Sequence, residues 1–297
     1  MLEGLERLMV EGRPDWVLVY GDTNSTLAGS LAASKLGIPV AHVEAGLRSF
    51  NRVMPEEINR VVTDHLSCLL FAPTDAAVEN LSREGIAGCR VLMVGDVMYD
   101  AALFYSRHAA KGESPALNLG IEPKAYVLAT IHRAENTDDA GRLAAVFGGL
   151  ARLAAEVPVV VPLHPRTRKA LSALPGGMVA TQALSLIEPV GYLDMLLLEK
   201  NARLIVTDSG GVQKEAFFHG VPCVTLRGET EWVELVQSGW NELVFPVSAE
   251  HVHQGAHRAL ARAVPIERPQ FYGRGRAAEE IADALLNRTL ERSGRTV

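Results

Sequence analysis

The sequence predicts an α/β protein built from two Rossmann-like, doubly wound domains facing a cleft. Three observations carry this expectation. Short apolar runs recur along the 297 residues, each followed by a polar loop and then a helical pattern. The runs are apolar throughout rather than alternating, as parallel strands covered on both faces require. The series is interrupted by a stretch rich in Gly, Pro and Ser at 111–123, which reads as a linker, and then starts again.

In chain order, residues 1–16 (MLEGLERLMVEGRPDW) read as an amphipathic helix and a turn, with no signal-peptide core. The first strand is 16–20 (WVLVY), and GDTNST leads from it into a helix across 28–36. The second strand is 38–43, followed by EAGLRSFNRVMP and a helix starting near Glu56. The third is 69–72, after which Pro73-Thr74-Asp75 offer capping chemistry for another helix. The fourth is 91–94, with GDVMYD entering the next helix. Beyond the interruption, 126–130 is a strand, 137–156 a helix and 157–163 a strand, followed by shorter elements. Strands at 204–207 and 222–226 flank the loop and helix of DSGGVQKEAFFHG, and a last helix covers 275–287. The expected division is 1–113, 114–272 and a terminal helix and tail at 273–297.

Composition narrows the function. Hydrophobic residues at 48% and charged residues at 22% suit packed cores and exclude a disordered chain. A net charge of -6 argues against nucleic acid as a partner. It leaves room for an anionic small ligand, because helix N-termini bind phosphate locally. No apolar run approaches ~18 residues, so no membrane contact is expected. Cys68, Cys89 and Cys223 are odd in number and fit no metal or redox spacing. They read as reduced, mostly buried thiols of a cytoplasmic protein, and no metal site is expected.

Ligands of open α/β sheets bind beyond the carboxyl ends of the strands. Asp22 follows the first strand, Glu44 the second, His132 the strand at 126–130, and Asp208-Ser209-Gly210-Gly211 a later one. A single loop acid commonly just caps the next helix. Four polar clusters at equivalent topological positions weaken that reading. Ser209 can cap its helix, while Gly210 and Gly211 let the backbone approach a ligand, so exposed N–H groups and the helix dipole suit a diphosphate. A plain Gly-containing helix start is the competing reading. Glu215, in the same helix, either accepts from ribose hydroxyls or is simply exposed. His132 beside Arg133 becomes a candidate for stabilising a leaving diphosphate, although a lone loop histidine is more often structural. His164 in VPLHPRT is a similar candidate, competing with a strand-end cap. The only G-x-G near a helix, at 273–275, follows no strand, and no G-x-x-x-x-G-K-[ST] loop occurs, so no nicotinamide cofactor or P-loop is expected.

Taken together, GDTNST (21–26), HVEAGLRS (42–49), MPEEINR (54–60), TDHLS (63–67), GD (95–96), HRAEN (132–136), LHPR (163–166), TDSGGVQKEA (207–216) and GVPCVTLR (220–227) resemble the non-hydrolysing UDP-N-acetylglucosamine 2-epimerase family. The resemblance implies the B-type glycosyltransferase architecture, a UDP-sugar substrate, no cofactor, a role in cell-surface polysaccharide biosynthesis and a homodimer. It implies anti elimination of UDP to a 2-acetamidoglucal and re-addition with C2 inverted. Asp22, Glu44 and Glu56 match the family's acid/base carboxylates, His132 the histidine near the diphosphate, Ser209 and Gly210 the phosphate loop, and Glu215 the ribose-binding acid. Arg133 and His164 match positions that line a regulatory UDP-N-acetylglucosamine pocket in some bacterial members. On this basis 1–113 would carry the acid/base groups and 114–272 the UDP.

The chain also departs from the family pattern. The family opens with a strand and a Gly-Thr-Arg-Pro-Glu loop that face the diphosphate. Here the chain starts at the helix before the GDT strand, so the first domain is expected to be incomplete, with an uncovered sheet edge. SFNRVMPEEINR and GETEWVELVQSGWN look closer to members acting on UDP-2,3-diacetamido-glucuronate. Those best known for N-acetylglucosamine have Thr-Glu-Arg-Pro where Thr230-Glu231-Trp232-Val233 stand here. Arg274 replaces an acidic residue common in a GDG turn and suits a uronate or a surface change equally. A glycosyltransferase of the same architecture and an inactive UDP-sugar-binding protein are the competing functions. The carboxylates of GDT, VEAG and MPEE disfavour the first.

Overall fold

A computed structural model describes residues 1–109, 114–176, 178, 181–264 and 268–292. The start of the expected linker, 111–113, lies outside the described residues. The chain forms two compact units, one of residues 1–101 with the segment from Pro269 onward, the other of 102–268.

In the first unit, β1 (Val17–Tyr20), β2 (Val40–Val43), β3 (Leu69–Ala72) and β4 (Val91–Met93) form a parallel sheet in that order. Four helices follow a βα rhythm: α1 (Leu2–Gly12), α2 (Asn24–Lys35), α3 (Pro55–Leu66) and α4 (Asp75–Arg83). α5 (Val97–Ala109) begins in this unit and runs into the next. β2 and β3 are buried at every position, the pattern of strands covered on both faces. β1 pairs with β2 alone among the described strands, and Tyr20 at its end is exposed. α2 starts at Asn24, earlier than the apolar pattern suggests, because Thr23 caps it by accepting from the Thr26 N–H.

In the second unit, β5 (Val127–Thr130), β6 (Val159–Pro162), β7 (Ser185–Ile187), β8 (Leu204–Thr207), β9 (Cys223–Thr225) and β10 (Asn241–Leu243) are all parallel. Their order is β10-β9-β8-β5-β6-β7, so the winding reverses between β5 and β8. The helices are α6 (Ala134–Thr137), α7 (Ala140–Leu153), α8 (Pro165–Ala173), α9 (Tyr192–Asn201), α10 (Gly210–Phe218), α11 (Val233–Gln237) and α12 (Ala249–Ala261). The helix expected at 137–156 is two, because the Asp139 side chain accepts from the Arg142 N–H and starts α7 afresh. β7 and β10 went unread because SLI and NEL are short and open on polar residues, whereas β4 and β9, equally short, lie within the apolar runs 91–94 and 222–226. The last helix, α13 (Ala277–Arg292), belongs with the first unit, where Ala277 and Ile281 pack on Val43, Leu69, Phe71 and Val94.

The α/β class of two parallel-sheet units expected from the sequence is what the chain adopts. The cysteine reading needs correction. Cys223 is buried in β9, but Cys68 and Cys89 are exposed, because they sit in the turns before β3 and β4 rather than in the strands.

The second unit's core depends on a close helix contact. A Cβ on Gly149 of α7 would lie 2.6 Å from Val252 Cβ and 2.8 Å from the Ala249 carbonyl of α12. Gly149→Ala is therefore expected to destabilise the protein by about 1–3 kcal/mol, read as a lower urea midpoint. Gly4→Ala, in α1 with nothing within 4 Å of the new methyl, should be neutral or stabilising.

Candidate active site

Two sets of polar side chains gather at strand C-termini, one in each unit. In the first unit the organising residue is Asp64 of α3, fully buried. Its Oδ1 lies 2.7 Å from His42 Nδ1 on β2, and its Oδ2 accepts from the Gly46 N–H at 3.1 Å and from Arg48 Nη1 at 2.8 Å. His42 Nε2 sits 2.8 Å from the Gly21 carbonyl, which only accepts, so Nε2 carries a hydrogen. His42 thus ties the loop after β1 to Asp64 of α3, which in turn holds the loop after β2. Arg48 continues the chain with a bidentate contact of 2.7 Å on each arm to Glu84. Burial disfavours its charge, but Glu84 and Asp64 more than offset this, and its pKa is raised.

Glu44 occupies a left-handed conformation, φ 71°, an uncommon state for a residue with a Cβ. It is held there because the N–H groups of Glu44 and Ala45 both donate to the Phe71 carbonyl of β3 at 3.1 Å. A Cβ on Gly21 would lie 3.2 Å from Glu44 Oε2, so the acid reaches over the glycine beside Asp22. Asp22 itself is half-buried, with its Oδ2 accepting from Arg60 Nε at 3.0 Å and Nη2 at 2.8 Å. Asn59 donates to the Asp22 carbonyl at 2.8 Å. Glu56, Asn59 and Arg60 stand at i, i+3 and i+4 of α3 and share one face of the helix. Asp22 and Glu44 thus meet at Gly21, and Glu56 shares the face of α3 from which Asn59 and Arg60 reach Asp22. The adjacent Glu57 is different: it is buried and accepts from Ser49 N–H, Ser49 hydroxyl, Phe50 N–H and Arg60, which closes the loop before α3.

In the second unit the corresponding residue is Asp208, also fully buried. It accepts from the His132 N–H at 3.1 Å, the Arg133 N–H at 3.1 Å and Asn136 Nδ2 at 3.1 Å, and lies 3.4 Å from His132 Nδ1. Asp208 follows β8 and His132 follows β5. The site therefore sits where the winding reverses, the crevice in which open sheets bind ligands. Ser209 caps α10 by accepting from the Val212 N–H, as its sequence suggests. The Arg133 guanidinium comes within 3.9 Å of where a Cβ on Gly210 would stand. The first turn of α10, with Gly211, is thus small, cationic and rich in N–H groups, as an anion site requires. His164 is exposed and caps α8, its Nδ1 accepting from the Arg166 N–H at 3.2 Å, with its ring 6.3 Å from that of His132.

Glu215 is buried, which removes the reading that it is simply exposed. The Tyr192 phenol is pushed upward first by burial and then by Glu215. Glu199 of α9 lies behind, fully buried, with neither oxygen within hydrogen-bond reach of a partner. Burial and then Glu215 push its carboxyl well above the usual range. His219 Nε2 lies 4.0 Å from it, and burial, then Lys200, Lys124 and Arg268, lower that imidazole to about 4. The GETEW segment is locked to α10: Gln213 Oε1 accepts from Thr230 and Asn241, and Lys214 Nζ stands 4.0 Å over the Trp232 ring.

Sequence reading did not single out His42, Asp64, Arg60, Asn59, Asn136 or Glu199. The spacing of Glu56, Asn59 and Arg60 was available as a signal. The partners of His42 and Asp64 were not, since 22 residues separate them in the chain.

The profile of the UDP-N-acetylglucosamine 2-epimerase family matches residues 1–286. The chain is 49% identical over 288 residues to the UDP-2,3-diacetamido-2,3-dideoxy-D-glucuronate 2-epimerase of Pseudomonas aeruginosa, covering 96% of this chain and 78% of that protein. It is 45% identical over 291 residues to the UDP-N-acetylglucosamine 2-epimerase of Methanocaldococcus jannaschii, covering 96% and 79%. The crystal structure of the M. jannaschii enzyme in complex with UDP-GlcNAc and UDP superposes with a TM-score of 0.87 at 44% identity, covering 96% and 79%.

His219 generates a pH prediction. Its folded pKa lies below the unfolded value near 6.5, so its neutral burial stabilises the fold above pH 6.5, and that contribution is lost as pH falls toward 4. Glu199 works with the opposite sign, so the difference between wild type and His219→Gln isolates the histidine. Urea unfolding should show wild type losing about 1.4 kcal/mol per pH unit more than the variant across this window.

Proposed function

Because the chain belongs to the UDP-N-acetylglucosamine 2-epimerase family, we propose that it inverts C2 of UDP-N-acetylglucosamine to give UDP-N-acetylmannosamine. Epimerase activity comes with the family. The observation that supports the chemistry most is Glu44 reaching over Gly21 beside Asp22, with Arg60 on Asp22 and Glu56 on the same face of α3 as Arg60.

The reaction has a specific demand. The C2 hydrogen is not adjacent to a carbonyl and is not acidic in itself. Departure of the diphosphate must run ahead of proton removal, so positive charge builds at C1 and nearby carboxylates stabilise it. One carboxylate takes the C2 proton as the C1–O bond breaks and UDP leaves with the electron pair. The product of this step is a 2-acetamidoglucal beside UDP. A protonated carboxyl then gives its proton to the opposite face of C2 as a UDP oxygen re-forms the bond to C1. In this reading Asp22, Glu44 and Glu56 supply the proton-transfer groups. His132, Arg133 and the first turn of α10 at Ser209, Gly210 and Gly211 stabilise the diphosphate as it leaves, and Glu215 holds the ribose. His164, capping α8 with its other ring nitrogen still available, lines the UDP side. The positive φ of Glu44 supports its role, since strained backbone concentrates at working residues.

A second substrate is favoured by one finding, the 49% identity to a relative acting on UDP-2,3-diacetamido-2,3-dideoxy-D-glucuronate. The chemistry at C2 is the same for both. Cytoplasmic residence and a homodimeric assembly belong to the same proposal, supported by three unbridged cysteines and by the family. Among the described residues no helix is long and apolar enough to cross a membrane.

In deuterium oxide, the protein should exchange the C2 hydrogen of one of these two sugar nucleotides, and the larger kcat/KM names the substrate. Asp22→Asn, Glu44→Gln and Glu56→Gln should each lower the exchange rate by about 10²–10⁴-fold while calorimetric UDP affinity holds. Absence of exchange with both substrates, from folded protein that binds UDP, would overturn the proposal.

A further inference from the structure

On the second unit, away from the strand ends, three potential metal ligands converge. His253 and His257 stand at i and i+4 of α12, so both rings project from one face. Glu156 meets them from the turn after α7, where its own N–H donates to the Leu153 carbonyl at 2.9 Å and fixes the backbone. His253 Nε2 lies 2.7 Å from Glu156 Oε1, and His257 Nδ1 lies 2.8 Å from Oε2. One ligand atom from each residue falls within 4.8 Å of the others.

We propose that Glu156, His253 and His257 form a surface site for a divalent transition-metal ion, for which zinc is the probe. Two imidazole nitrogens and one carboxylate oxygen, with water in the fourth position, are a donor set that zinc takes tetrahedrally. Zinc–nitrogen bonds of about 2.0–2.1 Å require donors roughly 3.3 Å apart. The present cluster is close to this, and its side chains are exposed enough to adjust: 40% for Glu156, 21% for His253 and 58% for His257. At present each ring turns an N–H toward the carboxylate; on binding the ion, that nitrogen is bared and the ring keeps its one hydrogen on the other nitrogen, so each histidine ligates as a neutral imidazole.

The position gives the site a structural consequence. α7 and α12 touch at Gly148, Gly149, Ala249 and Val252, where a methyl would collide, so the helices are locked at short spacing. Arg152 and Glu250 pair across the same seam. A metal on Glu156, His253 and His257 would clip the end of α7 to α12 and stabilise the second unit. Magnesium and calcium, which prefer oxygen donors, are not expected to bind here.

The test is titration of the full chain with zinc chloride by calorimetry and thermal unfolding, with chelator-treated protein as the reference. Other histidines are present, including the His132 and His164 pair, so variants decide the location. The expected result is zinc binding that raises the melting temperature. His253→Ala/His257→Ala should weaken it at least tenfold, and Glu156→Gln in the same direction, while His132→Ala leaves it unchanged. Magnesium should produce no shift. Zinc binding of equal strength in the double variant, or none in wild type, would overturn the proposal and leave the cluster as an ion-pair network.

Discussion

Two carboxylates without solvent contact, Asp64 and Asp208, set the terms for the rest of this molecule. Taking such a charge out of water costs several kcal/mol unless donors surround it. The fold must therefore bring donors to each from different elements. Asp64 receives them from β2, from the loop after β2 and from Arg48. Asp208 receives them from the backbone after β5 and from Asn136. In both cases the donors belong to the loops that carry the candidate catalytic groups. Satisfying the buried charge and positioning those groups are the same event.

From this follow the local irregularities. Glu44 keeps a positive φ because β3 and the Asp64 network hold both ends of its turn. Gly46 has no room for a side chain, since a Cβ there would lie 2.4 Å from the Ala77 carbonyl. In the second unit the reversal of winding between β5 and β8 leaves His132 and the start of α10 side by side, and Asp208 fastens them. Beside Glu215, burial favours the neutral forms of both Glu199 and His219.

Much of this was legible in the sequence. Most strands announced themselves as apolar runs, three-residue β4 and β9 among them, whereas the polar starts of β7 and β10 hid those two. The residues facing solvent at strand ends, such as Asp22, Glu44 and His132, were legible because their place after an apolar run is itself a topological statement. Their supports were hidden. His42 reads as one polar residue in a buried strand, and nothing local says that Asp64 and the Gly21 carbonyl satisfy it. Glu215 read equally well as exposed, because α10 is buried on most sides and has no amphipathic period to reveal it. Cys68 and Cys89 were misjudged for a related reason: composition indicates how cysteines usually sit, while the turns before β3 and β4 decide these two.

The claim that a buried carboxylate positions the acid/base loops of a 2-epimerase is tested most directly by one measurement on Asp64→Asn. That measurement is the rate of C2 hydrogen exchange at saturating substrate, made on protein verified as folded by circular dichroism. Asp64 lies in the first unit and the proposed UDP-binding residues in the second, so the prediction is a rate at least tenfold lower with unchanged UDP affinity. A wild-type exchange rate from the folded variant would contradict it.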